Sequence, residues 1–273
     1  MSKLFWNERE ETLDTLFEGW LKVLQKKSGY RFSIDALLLA HFVETRPGDR
    51  IIELGTGCGI IPLILILRRK TQKVIGVEIQ PSLADLARRN AALNRASTRI
   101  QIWERDFKKL AGKRWRETFH LVLCNPPYRR LGTGRINLGQ EKAVARHEIK
   151  ATLEDVLQTA YHLLKEKGRL SLIYPASRAT DLIYALRKFH LEPKRWQFVY
   201  SRWNDEARLL LAEAVKGGHP HAQVLPPFII YDAAGEYTPQ AQQLFCLWKD
   251  KGPRHFQPAT CNATFQDPII KCR

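Results

Sequence analysis

From Arg50 to about Val215, short apolar and β-branched runs alternate with amphipathic stretches, and that alternation leaves few folds open to the chain. The runs Arg50–Leu54, Lys73–Glu78, Arg99–Arg105, Phe119–Cys124 and Gly168–Tyr174 read as strands of a parallel sheet covered by helices on both faces. After Pro81, which suits a first helical turn, Leu83, Leu86, Ala87 and Leu93 recur at helical spacing. A second helix opens on the capping-box pattern Thr152-x-x-Asp155, carries Leu153, Val156, Leu157, Ala160 and Leu164 on one face, and stops before Gly168. Thr180–His190 reads as a helix, and Trp196–Tyr200 and Ala207–Val215 as a closing antiparallel pair around the polar turn Arg202–Glu206. The expected fold is α/β, a doubly wound, mostly parallel sheet of seven strands with one antiparallel strand. Residues 1–44 precede this core, with a strand or hairpin in Glu8–Lys27 and a helix over Asp35–Val43. The core is expected to span residues 45–240, and 241–273, rich in Pro, Gly and scattered cysteines, to form an irregular tail.

A chain of 273 residues, 44% hydrophobic, can bury one full core. Its 44 Lys and Arg against 28 Asp and Glu give a formal charge of +16, which points to a polyanionic partner, nucleic acid above all. The longest apolar run, Ile60 to Leu67, is closed by Arg68, Arg69 and Lys70, too short for a spanning helix, so no membrane partner is expected. Met1–Glu11 is charged and lacks a secretory pattern, and the five cysteines show no paired spacing, which fits a reducing cytoplasm. The tail cysteines Cys246, Cys261 and Cys272 follow no metal-ligand spacing, so no metal site is expected.

The first strand ends in Glu53-Leu54-Gly55-Thr56-Gly57-Cys58-Gly59-Ile60, where glycines let backbone amides approach a ligand before the next helix begins. The dinucleotide fingerprint would need glycine where Ile60 stands, so G-x-G-x-G argues against a nicotinamide enzyme. Glu78 closes the second strand, where a carboxylate can accept both hydrogen bonds of a ribose diol, with Ile79 beside it. Asp106 and Phe107 follow the third, placed for an adenine edge and face. This spacing resembles the S-adenosylmethionine fold, the class I, Rossmann-like methyltransferase architecture. The resemblance implies that Gly55, Gly57 and Gly59 line the methionine moiety near Glu53, that Glu78 holds the ribose and that Asp106 binds the adenine amino group.

At the end of the fourth strand stands Asn125-Pro126-Pro127-Tyr128. Two prolines fix the backbone and remove two amide donors, so the Asn125 side chain and nearby carbonyls present acceptors in one array. A planar amino group attacks poorly because its lone pair is delocalised. Acceptors at Asn125 and the Pro126 carbonyl can bind both its hydrogens and favour the pyramidal geometry of attack on a methyl sulfonium, with no general base of unusual pKa. Tyr128 supplies a ring on which a target base can stack.

This tetrad resembles those of adenine-N6 methyltransferases of DNA, amino methyltransferases of RNA and glutamine methyltransferases of release factors. From about Gln25 to Leu225 the chain resembles the bacterial tRNA-valine adenine-N6 methyltransferases, through Gly29-Tyr30-Arg31-Phe32-Ser33-Ile34-Asp35-Ala36, the tetrad, and Arg146-His147-Glu148. The resemblance implies that residues 1–44 fold over the cofactor, with Tyr30, Arg31, Phe32 and Asp35 lining it and Asn125 reaching it from the tetrad. The other reading of that stretch is a tight turn and helix cap at Ser33 or Asp35. The resemblance implies tRNA as partner and the adenosine next to the anticodon as target, methylated by a chain expected to act as a monomer. Arg129, Arg130, Arg135, Lys142 and Arg146, in a Gly-rich loop past the tetrad, are candidate phosphate contacts around an unstacked base. His147 reads as a phosphate or helix-cap contact or as a proton acceptor. Leu138 departs from the family, which has proline there. A release factor and an rRNA or DNA amino group stay open as alternative substrates.

Overall fold

The structure, a computed structural model, describes residues 6–68, 71, 73–126 and 151–245. It opens with a hairpin, β1 (Glu11–Leu16) and β2 (Leu21–Lys26), paired antiparallel with Leu16 opposite Leu21. Helix α1 (Ile34–Phe42) follows, then β3 (Ile51–Leu54), α2 (Ile60–Leu67), β4 (Val74–Glu78), α3 (Pro81–Leu93), β5 (Ile100–Glu104) and β6 (Phe119–Cys124). Two single 3₁₀ turns, Phe107–Leu110 and Lys113–Trp115, lie between β5 and β6. Beyond residue 150 come α4 (Leu153–Leu163), β7 (Leu164–Pro175), α5 (Ala179–Lys188), β8 (Leu191–Tyr200) and β9 (Ala207–Lys216). The described chain ends with β10 (Gln223–Val224), β11 (Phe228–Ile229) and α6 (Pro239–Phe245).

Among the described residues the main sheet has nine strands, in the order β10-β8-β9-β7-β6-β3-β4-β5 with β11 also on β8. β9 runs antiparallel to both β7 and β8, and every other pairing is parallel, so the expectation of one antiparallel strand holds. The count of seven does not include β10 and β11. These are two-residue additions on β8, in a stretch whose Pro226 and Pro227 hide any strand pattern.

Successive strand residues point to opposite faces, and two cores result. Ile51, Leu121 and Leu123 pack with α1, α2, α3 and the hairpin, whereas Ile52, Leu54, Val122 and Cys124 pack with α4 and α5. The helices form for readable reasons. Pro81 begins α3, and Thr152 and Asp155 close a reciprocal capping box at the start of α4. Thr238 accepts the Ala241 amide at 3.1 Å ahead of Pro239, which starts α6 where an irregular chain was expected after residue 240. No helix among the described residues is long and apolar enough to cross a membrane.

Candidate active site

The tips of β6, β3 and β4 lie level. Leu54 pairs with Cys124 on one side and Val77 on the other, and the Cys124 thiol donates to the Leu54 carbonyl at 3.4 Å. Asn125 and Gly55 each stand one residue beyond that pair, so the glycine loop and the Asn-Pro segment leave the sheet side by side. Asn125 is half-buried and Pro126 buried. Pro127, Tyr128, Arg129, Arg130, Arg135, Lys142, Arg146 and His147 lie outside the described residues.

The loop is tied to β4 before it becomes helix. The Gly55 and Thr56 amides both donate to the Val77 carbonyl at 2.9 Å, and Thr56 fits because Gly76 has no side chain: a Cβ there would come within 2.8 Å of the Thr56 hydroxyl. Gly55, Gly57 and Gly59 all have positive φ, 73°, 57° and 81°. At Gly55 a Cβ would meet nothing within 4 Å, so φ requires the glycine and the backbone there stays open to a ligand. At Gly57 a Cβ would lie 2.7 Å from the Tyr30 ring, so conformation and close approach both demand glycine.

Glu78 is 5% exposed, and both of its oxygens are held: Oε2 accepts the Gly57 amide and Oε1 the Gln80 amide, each at 2.9 Å. Burial raises its pKa, and the amides of Gln80, Gly57 and Ile79 oppose that shift. Glu53, 1% exposed, accepts the Thr56 hydroxyl, and burial, with the Glu78 charge adding to it, pushes its pKa up to about 8. Asp35, half-buried, is also raised by burial, an effect the nearby Ser33 hydroxyl opposes; Ser33 stands at the N-cap of α1 without bonding a helix amide. The Tyr30 residue is 43% exposed, but the hydroxyl end of its ring lies against Gly57, and burial, followed by the Cys58 thiol and the carboxylates of Glu53, Glu78 and Asp35, raises its pKa. Three shifted carboxylates thus gather in a molecule of formal charge +16. Each is costly to ionise alone, so a cationic ligand set against them would favour their ionised form and gain more than it would on an exposed surface.

Other site residues foreseen in the sequence are placed less directly. Arg31 turns to the hairpin, donating to Thr12 Oγ1 at 2.9 Å, the Lys26 carbonyl at 3.0 Å and Asp14 at 2.6 Å. Phe32 is buried, and its amide donates to Gln25 Oε1 at 3.0 Å. Ile79 is half-buried at the exit of β4. Asp106 caps the first 3₁₀ turn by accepting the Lys108 amide at 3.0 Å, and Phe107 packs against the core under α4. Sequence reading missed Thr56, Gly76 and Asn90. Asn90 is fully buried; it exchanges hydrogen bonds with the Leu24 backbone at 2.7 and 3.0 Å and donates to the Cys58 carbonyl at 2.9 Å, joining β2 to the glycine loop. A polar residue on the buried face of an otherwise apolar helix pattern was its only signal.

The chain is similar to known proteins. The family described as the methyltransferase small domain matches residues 31–189. A tRNA1(Val) (adenine(37)-N6)-methyltransferase of Porphyromonas gingivalis is 30% identical over 222 residues, covering 78% of this chain and 86% of that protein. One of the same name from Photobacterium profundum is 28% identical over 214 residues, covering 78% and 88%. Among solved structures, a protein described as a predicted O-methyltransferase from Agrobacterium tumefaciens has a TM-score of 0.62 at 27% identity, over 77% of this chain and 94% of that one. P. horikoshii TYW2, solved with MeSAdo, has a TM-score of 0.55 at 14% identity over 79% and 75%, a likeness of fold alone.

Proposed function

This chain belongs to the methyltransferase small-domain family, and from that premise we propose that it transfers a methyl group from S-adenosylmethionine to N6 of an adenine in tRNA, the adenosine next to the anticodon. The observation that carries the reading is the level pair Leu54–Cys124, which sets Asn125 beside a glycine loop lined by buried carboxylates. The residues fit the cofactor: Gly55 leaves backbone open, Glu53, Glu78 and Asp35 favour a cation, and Glu78 keeps lone pairs for a ribose diol.

When bound, S-adenosylmethionine supplies an electrophilic methyl group on a sulfonium. Asn125 and the Pro126 carbonyl accept the two hydrogens of the target amino group and favour a pyramidal nitrogen, whose lone pair is less delocalised into the base. That interaction strengthens as the nitrogen becomes positive, so it stabilises the transition state more than the ground state. Tyr128 stacks under the base, at roughly 1–3 kcal/mol for such a contact. Arg129, Arg130, Arg135, Lys142, Arg146 and His147 hold phosphates around the unstacked nucleotide. Residues 1–44 cover the cofactor through Tyr30, Phe32 and Asp35, with Arg31 bracing the hairpin that carries them. The protein works as a monomer in the cytoplasm.

Radiolabel from S-adenosylmethionine, offered total tRNA, rRNA and release factor in parallel, is expected in tRNA as N6-methyladenosine on nucleoside analysis. Label in the release factor alone would make the enzyme a glutamine methyltransferase. Asn125→Ala is expected to keep cofactor affinity by calorimetry and to lose at least about a hundredfold in kcat, the scale of one lost transition-state contact.

A further inference from the structure

Between β5 and β6 the chain carries Arg105, Lys108, Lys109, Lys113, Arg114 and Arg116 against two acids, Asp106, which pairs with Lys108, and Glu117, which pairs with Lys216. Arg105, Lys109, Lys113, Arg114 and Arg116 are exposed, and none forms an ion pair with a carboxylate of the described residues. A charge run of this kind on a mobile loop would mean little, but this one is built. Trp103 and Trp115 lie ring against ring, centroids 4.5 Å apart, with the Arg105 guanidinium 5.4 Å over the first and Arg114 4.9 Å over the second. Stacking on indole fixes each guanidinium while leaving its N–H edge outward. The segment is pinned at both ends. The Arg105 amide donates to the Glu78 carbonyl at 2.9 Å, and the Glu117 and Thr118 amides donate to the His162 and Leu163 carbonyls at the end of α4. His162 bonds the Gly112 carbonyl at 3.0 Å between them.

The strip therefore starts at the residue that holds Glu78 and runs along the α4 side of the molecule as a fixed row of cations, five of them without an ion pair among the described residues. We propose that it is a second RNA-binding surface, which grips sugar–phosphate backbone flanking the nucleotide that enters the active site. This rests on the tRNA reading above and extends it to a surface outside the loop past the tetrad. Lys109, Lys113 and Arg114 act as phosphate contacts, and the Trp103–Trp115 pair holds the row in place. Phosphates carry no sequence information, so the strip contributes affinity and orientation while the choice of base stays with the active site.

The test uses the full chain and an unmodified tRNA transcript, with binding measured at several salt concentrations, cofactor affinity by calorimetry and methyl transfer in parallel. Lys109→Glu/Lys113→Glu/Arg114→Glu is expected to raise the tRNA Kd at least tenfold and to flatten the plot of log affinity against log salt by about two units, at 0.7–0.9 per phosphate contact. Cofactor affinity and kcat at saturating tRNA are expected to stay within twofold. Lys109→Arg/Lys113→Arg, which keeps the charges, is expected to bind as wild type does, and a melting scan of each variant guards against unfolding. A triple variant with wild-type tRNA affinity and salt slope, beside a wild type that methylates tRNA, overturns the strip alone. A wild type that neither binds nor methylates tRNA overturns both readings. A wild type whose tRNA binding depends on the strip but transfers no methyl group supports the strip and retires the methylation.

Discussion

Glu53 is a carboxylate kept from water, with its pKa raised from 4.5 to about 8. Between those values the folded chain holds a proton that the unfolded chain releases, so stability falls as pH rises through the window and the loss is complete above it. Glu53→Gln keeps an acceptor for the Thr56 hydroxyl and removes the titration. Its melting temperature is expected to gain on wild type steadily from about pH 5 to about pH 8.5; a difference that does not change with pH would refute this account of Glu53. At Gly57 strain and contact can be separated. Gly57→Ala is expected to cost roughly 1–2 kcal/mol from its positive φ and more from the Tyr30 ring. In a Tyr30→Ala background the second part disappears, and denaturation of the four proteins would give a coupling of about 1 kcal/mol or more. The sequence reveals Glu53, Glu78 and the three glycines because each stands at a strand end in a local pattern. It does not reveal where Arg31 points, because Thr12 and Asp14 approach it only once the hairpin has folded.

Among the elements, α3 joins the N-terminal hairpin to the core in an unusual way. Asn90 and Asn94, one turn apart, each exchange hydrogen bonds with the backbone of β2, at Leu24 and Lys22 respectively, so two side-chain amides stand in for a neighbouring strand. Asn90→Ala leaves the buried Leu24 amide and carbonyl and the Cys58 carbonyl without that partner, at a cost of about 2–3 kcal/mol. A melting temperature roughly 5–10 °C lower is expected, with weaker cofactor binding; a variant that melts with wild type would show that water replaces the amide. Element existence was legible because β-branched runs and capping residues are local signals. Boundaries were less so. β8 begins at Leu191 rather than Trp196 because Pro193 sits at a register shift, where its missing amide costs no ladder bond. β7 begins at Leu164 rather than Gly168 through Lys165, Glu166 and Lys167, whose charges mask the strand and whose last residue has a φ of 60°.

For the whole molecule, charge is the property most easily read and least easily located. A formal charge of +16 predicts tRNA binding that weakens steeply with salt, and affinities measured between about 50 and 200 mM salt are expected to drop at least a hundredfold; a flat dependence would contradict a phosphate-dominated interface. The total says nothing about where the cations lie. It conceals both the acidic lining of the glycine loop and the paired tryptophans of the basic strip, since neither cluster forms until distant strands are aligned. The alignment of those strands has a consequence of its own. Leu54 stands between Cys124 and Val77, so the starting points of the active-site loops are set by interstrand spacing, about 4.8 Å a step, and by how many residues each strand contains. A substitution in the loops leaves those starting points where they are, but deleting one residue from Ile51–Leu54 would turn Glu53 to the opposite side of the sheet and draw the glycines back from Asn125 together. In this enzyme the spelling of the strands matters less than their count of letters.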